Sequence, residues 1–145
     1  MIMFNIPEHA AMVAAAAGCT LQKHYTCIGR VRGRRLLGGV ILQNFNGASI
    51  SMHFAGFSPT WINRKMLWMS FDYPFNQLGC NVTLAVTRSG NIKALEIIRK
   101  LGFIEMTRIP RAFVDGDMII SAMARSQCRW LELKPTIEGS NVRQE

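Results

Sequence analysis

Ser89-Gly90-Asn91-Ile92-Lys93-Ala94-Leu95-Glu96-Ile97-Ile98-Arg99-Lys100-Leu101-Gly102-Phe103 decides the fold of this chain. Ala94, Leu95, Ile97, Ile98 and Leu101 recur at spacings of three and four, which predicts a helix packed on a sheet. Ser89 and Asn91 are both N-cap types, and Gly102 stands where a helix hands over to the next strand. Upstream, Val82-Thr83-Leu84-Ala85-Val86-Thr87 reads as a strand; downstream, Phe103-Ile104-Glu105-Met106-Thr107 alternates as a half-buried strand does. Such a unit sets a helix N-terminus just beyond a strand end. The unpaired N–H groups there can hold a phosphate or a polarised carbonyl without any cationic side chain.

Working back from this unit, residues 60–78 read as a helix, with Trp61, Lys65, Trp68, Met69 and Asp72 spaced by three and four and Pro74 ending or kinking it. Before it, Ala48–Phe54 alternates cleanly. Ile50, Met52 and Phe54 face one way; Ser49, Ser51 and His53 face the other. Asn44-Phe45-Asn46-Gly47 is a turn, joining that strand to another over Leu36–Gln43. A strand around residues 25–31 and a helix near 8–18 complete the N-terminal part. Beyond the central unit, strands near 103–108 and 117–124 are joined by a turn at Asp115-Gly116, which with Asp117 reads as solvated more readily than as a cation site. No repeat or linker interrupts the chain, so residues 1–133 form a single domain, and the polar residues 134–145 form a flexible tail.

Hydrophobic content of 49% excludes a mostly disordered protein, and no apolar run is long enough to span a bilayer. Ala10–Cys19 imitates the apolar region of a signal peptide, but Pro7-Glu8-His9 precedes it where a secretory signal carries basic residues. Pro7 followed by Glu8 instead opens an alanine-rich helix. Cys19, Cys27, Cys80 and Cys128 show no Cys-x-x-Cys spacing and fit idle thiols in a reducing cytoplasm better than a disulfide framework or a metal site.

Net charge is +8, and Arg30, Arg32, Arg34 and Arg35 supply much of it within six residues. Such a cluster can contact the phosphates of nucleic acid or of a cofactor, or be a solvated turn between strands. No aromatic side chain is interleaved with it, so a stacking platform for single strands is not indicated.

The pattern Asn91-x-x-Ala94, followed by Leu101-Gly102-Phe103, resembles the end of the acyl-CoA-binding region of the GNAT N-acetyltransferase superfamily. The resemblance covers about residues 25–131 and is strongest over 81–124. A narrower likeness, through Met66–Leu78 and Cys128-Arg129-Trp130-Leu131, is to small acetyltransferase-like proteins encoded by tailed phages, which would act in the host cytoplasm. The family implies an α/β (α+β) fold with a mixed, mostly antiparallel central sheet flanked by helices. It also implies acetyl-CoA as cofactor and an amine acceptor, such as a protein lysine or N-terminus.

Carried across, Asn91 and Ala94 lie at the helix start beside the cofactor, with Val86 and Ser89 on the strand end before it. Phe54 and Ala55 end the central strand, and Thr60 would cap the next helix with Arg64 one turn in. The family often places a base on that central strand; His53, with an ordinary pKa near 6.5, would take that role.

Two departures point to an alternative, a catalytically degenerate GNAT-fold phage protein that binds a host protein or nucleic acid. The family's Gln/Arg-x-x-Gly-x-Gly/Ala loop, which cradles the CoA pyrophosphate, is absent from Phe54–Arg64. Trp61, in that stretch, is either core or a cover over the cofactor's place. The tyrosine that many members carry five residues before the Phe of Gly-Phe is Ile98, leaving Tyr73, Ser70 or a water to protonate the thiolate. Trp130-Leu131 packs either internally or against a second copy in a homodimer.

Overall fold

A computed structural model of the protein describes residues 1–135; the tail expected over 134–145 lies almost wholly outside them. Four strands build its first half: β1 (Ile2–Phe4), β2 (Tyr25–Arg32), β3 (Arg35–Gln43) and β4 (Ser49–Gly56). The second half supplies β5 (Val82–Arg88), β6 (Ile104–Phe113) and β7 (Gly116–Ala124). Among the described residues they form one seven-stranded sheet in the order β1-β2-β3-β4-β5-β7-β6. Every junction is antiparallel except β4–β5, which is parallel and crosses over through helical turns between the two strands. The mixed, mostly antiparallel sheet flanked by helices is the architecture that the family resemblance implies.

The helices are α1 (Pro7–Ala17), α2 (Arg64–Asp72) and α3 (Ile92–Leu101). Pro7 sits at the start of α1, where its missing N–H costs nothing, and Gly18 closes that helix with φ +75°. Ala10 and Val13 of α1 pack against Cys27, Val31, Ile41 and Ala55 on one face of the sheet. Met66 and Phe71 of α2, with Ile98 and Leu101 of α3, pack against Ile28, Val40, Met52 and Phe54 on the other. Phe54, Phe71 and Phe103 meet with ring centroids 6.1–6.3 Å apart, tying β4 to α2 and to the end of α3. No helix among the described residues is long and apolar enough to cross a membrane.

Four local findings refine the expected elements. α2 begins at Arg64, not at residue 60; its cap is Asn63, whose side chain accepts from the Met66 N–H at 2.8 Å. Pro74 does not stop the helix but widens it, and Tyr73–Gln77 continues as a π-helical turn. β1 is a three-residue strand that pairs with β2 at Ile2–Arg30 to Phe4–Ile28. Trp130 packs internally: its indole N–H donates to the Leu101 carbonyl at 2.8 Å and closes the end of α3.

Candidate functional site

β4 and β5 pair only at Ser49–Val82, Ile50–Thr83 and Ser51–Leu84. Beyond that point β4 runs on to Gly56 and β5 to Arg88 without further pairing, so the two strands part and leave a wedge. Their outer edges stay occupied: Ile41 faces His53, Val40 faces Phe54, and Ser121 faces Ala85. Among the described residues, backbone polar groups along the inner edges of Met52–Gly56 and Ala85–Arg88 therefore lack a strand partner. Buried backbone groups in that position need a ligand or solvent to satisfy them.

At its open end the wedge runs up to the start of α3. Asn91 caps this helix, its side chain accepting from the Ala94 N–H at 3.2 Å. Phe54, Ala55, Gly56, Asn91, Ala94 and Ile97, with Ala16 from the end of α1, line a recess there of about 50 Å³. Lys93 crosses its mouth and donates from Nζ to the Gly56 carbonyl at 3.1 Å. Four of the expected cofactor residues, Phe54, Ala55, Asn91 and Ala94, are thus brought together.

On the α1 side the wedge opens into a second cavity, of about 330 Å³, that holds His53 and Val86 with Ser51, Arg88 and Cys19. Strand alternation sets His53 in this cavity. Phe54 turns into the aromatic core, so His53 must turn the other way. Burial pushes the His53 pKa down to about 4 and the Cys19 thiol up to about 11, so both are uncharged at neutral pH. Arg88 is not free in this cavity: it pairs with Asp115 and lies 4.5 Å above the Phe113 ring.

The remaining expected residues lie elsewhere. The Ser89 hydroxyl accepts from the Asp117 N–H at 3.0 Å, which fastens the end of β5 to the start of β7. Asp117 in turn accepts from the Arg111 N–H at 3.1 Å, so Asp115 and Asp117 serve the β6–β7 turn and its neighbours. Thr60 and Arg64 are exposed and line neither recess. Tyr73 and Ser70 are poor sources of a proton for a leaving thiolate. Tyr73 is hydrogen-bonded to Thr26 Oγ1 at 3.0 Å at the far end of β4, and Ser70 is buried on α2 beside Trp61.

The segment between β4 and α2 has its own arrangement. The Phe57 and Ser58 N–H groups both donate to the Leu37 carbonyl, at 2.8 and 3.1 Å, and the Trp61 N–H donates to the Ser58 carbonyl at 3.2 Å. Trp61 itself is buried and lies flat over Gly38 and Gly56; a Cβ at Gly56 would stand 2.2 Å from its Nε1. Trp61 is therefore core, and no fan of free amides awaits a pyrophosphate in residues 57–61. The cations around this end are Arg64 and Lys65 in the first turn of α2, Lys93 across the recess, and the β2–β3 hairpin with Arg32, Arg34 and Arg35 exposed. Arg30 is engaged, donating to the Thr60 carbonyl.

The open strand edges along the wedge can pair with the amides of a ligand. Near the β4–α2 connection, side-chain cations rather than free backbone amides are on offer. Lys93 and Gln43 also line these cavities, and the sequence assigns neither a role there. Gln43, a polar residue ending an apolar strand and only 3% exposed, was the one of the two with a signal.

No family model matches the sequence, and no curated protein matches it. Solved structures do match. One is the spermidine/spermine N-acetyltransferase SpeG from Vibrio cholerae, in mutant forms, at TM-score 0.67 and 13% identity over 93% of this chain and 100% of that one. A complex of the Vibrio cholerae spermidine N-acetyltransferase with CoA and spermine matches at TM-score 0.58 and 19% identity, over 72% of this chain and 68% of that one. The Campylobacter jejuni N-acetyltransferase PseH, in complex with acetyl coenzyme A, matches at TM-score 0.54 and 15% identity over 72% and 70%. At these identities the likeness concerns the fold: the chain has the GNAT architecture seen in these N-acetyltransferases.

Proposed function

We propose that this chain is an acetyl-CoA-dependent N-acetyltransferase acting on an amine, such as a protein lysine or N-terminus. The observation that carries the reading is the β4–β5 wedge, with the capped start of α3 on one side and His53 in a cavity on the other. Acetyl-CoA, when bound, supplies the acetyl thioester. The edges of Met52–Gly56 and the start of α3 would hold its amide arm, and Lys93 would meet its phosphates, with Arg64 and Lys65 exposed in the first turn of α2.

His53 works on the acceptor side. Its ring is uncharged throughout the neutral range, so a ring nitrogen is free to accept a hydrogen bond from the amine and orient its lone pair. As that nitrogen acquires its new bond it becomes more acidic, and His53 takes the proton and passes it to water. With Ile98 apolar and Tyr73 remote, the thiolate leaves unaided or takes a proton from solvent, which a thiol of ordinary pKa near 8.5 permits.

Calorimetry with acetyl-CoA tests this reading; absence of binding at millimolar cofactor overturns it. The engaged amides of residues 57–61 favour a second reading: a phage-encoded GNAT-fold protein that has lost transfer and binds a host protein or nucleic acid. Retained acetyl-CoA binding with no turnover on any amine, together with saturable binding of DNA or RNA, would select it.

A further inference from the structure

We infer that the acceptor is an amine joined to an anionic group, not a polycation; this rests on the transferase reading above. The His53 cavity has a neighbour of about 580 Å³, lined by Lys23, His24, Tyr25, Thr26, Phe45 and Tyr73 among others. The two share Gln22, Gln43 and Asn44, and so adjoin along the end of the β3–β4 hairpin. The wall between them is built. The Gln22 N–H donates to Gln43 Oε1 at 2.9 Å, and Gln43 Nε2 donates to the Thr20 carbonyl at 3.0 Å, fixing the α1–β2 connection against β3.

Among the described residues no Asp or Glu lines either cavity. Their charged or titratable nitrogen groups are His53, Arg88, Lys23 and His24. Asp115 occupies Arg88, whereas Lys23 and His24 are exposed and have no carboxylate partner among the described residues. A polyamine placed here would give up the hydration of several ammonium groups and meet no negative charge. It would also approach a chain of net charge +8.

An acceptor with its amine at His53 and a carboxylate or phosphate over Lys23 meets the opposite situation. Its uncharged middle passes the amide side chains of Gln22 and Asn44, which can donate and accept. The anion can be a carboxylate near a polypeptide N-terminus or the phosphate of a small amine. Both present the same chemistry to Lys23.

Three probes tested by calorimetry on the full chain, with and without acetyl-CoA, decide the matter. They are spermidine, glucosamine 6-phosphate, and a hexapeptide with a free N-terminus and three acidic residues. At least one anionic amine should bind, weaken as salt is raised, and lose about tenfold in affinity in the double variant Lys23→Ala, His24→Gln. Acetyl-CoA affinity of that variant should be unchanged. The anionic probe that binds identifies the source of the charge. Spermidine binding as tightly as either anionic probe, binding of neither anionic probe, or undiminished affinity in the variant would overturn the inference. Acetyl-CoA binding is read separately, so a failed acceptor assignment is distinguishable from a failed transferase.

Discussion

Lys93 Nζ donates to the carbonyl of Gly56 at 3.1 Å and so bridges the first turn of α3 to the last residue of β4. The bond closes the mouth of the wedge with an exposed side chain, which can be released at small cost because its partner is a neutral carbonyl in contact with water. In the proposed transferase Lys93 would then be a cation available to the cofactor's phosphates, beside residues 57–61 whose amides are largely engaged.

Lys93→Met should accordingly weaken acetyl-CoA binding about threefold to tenfold and flatten its dependence on ionic strength. Calorimetry at two salt concentrations checks both effects. Tighter binding in the variant would show that Lys93 only obstructs the recess.

His53→Gln should lower kcat by about one to two orders of magnitude while acetyl-CoA affinity stays within about twofold. Because burial holds the wild-type pKa at about 4, the acid limb of the rate profile should fall near pH 4, well below the ordinary 6.5. The same shift affects stability. The folded value lies under the unfolded one, so the unfolded chain binds the proton first between them. That contribution to stability is complete above 6.5 and lost as pH falls towards 4, at most ~3 kcal/mol. Thermal unfolding of His53→Gln should be less sensitive to acid over this interval, and equal sensitivity would show that His53 is solvated.

The parts of the fold that were legible in the sequence are those with local causes. Asn91 and Gly102 bracket α3 because cap chemistry acts within a few residues, and both stand where expected, Gly102 with φ +106°. The alternation of Ile50, Met52 and Phe54 is enough to assign His53 to the opposite face. The parts that were not legible depend on distant partners. β1 is three residues whose strand character comes only from pairing with β2. Thr60 and Asn63 are both capable caps, and Trp61 decides between them: seated on Gly38 and Gly56, it keeps residues 57–62 out of the helix. The Lys93–Gly56 bond joins residues 37 apart, beyond any periodicity.

That seat for Trp61 is itself testable. A Cβ at Gly38 would lie 2.5 Å from Trp61 Cδ2, closer than side-chain packing allows. Gly38→Ala should therefore cost ~1–3 kcal/mol and lower Tm by about 3–12 °C, without touching the Lys93 contact. An unchanged melting curve would mean that the indole slides freely over the strand ends.

The arginine hairpin separates two roles. Arg32, Arg34 and Arg35 are exposed around Gly33, whereas Arg30 is spent on the Thr60 carbonyl. If the chain binds nucleic acid through this tip, replacing the three exposed arginines with Ala should reduce the slope of log K against log salt by about 2–3. Arg30→Ala should leave the slope nearly intact and instead loosen the β4–α2 connection, seen as a lower Tm. Anisotropy titrations across a salt series measure the first effect; an unaltered slope in the triple variant assigns those arginines to solvation.

Trp130 and Leu101 provide the last test, because the indole N–H at 2.8 Å satisfies a carbonyl that the end of α3 would otherwise leave open. Arg129 reinforces the closure, lying 4.1 Å over the Trp130 ring and donating to the neighbouring Lys100 carbonyl at 3.1 Å. Trp130→Phe keeps most of the apolar contact but removes the donor, so it should cost ~1 kcal/mol and lower Tm by about 2–5 °C. A tryptophan held in this way is committed to its own chain. The solution mass from light scattering should therefore be the same for wild type and variant, whatever that mass is. A change in mass with no change in Tm would place Trp130 at an interface between copies.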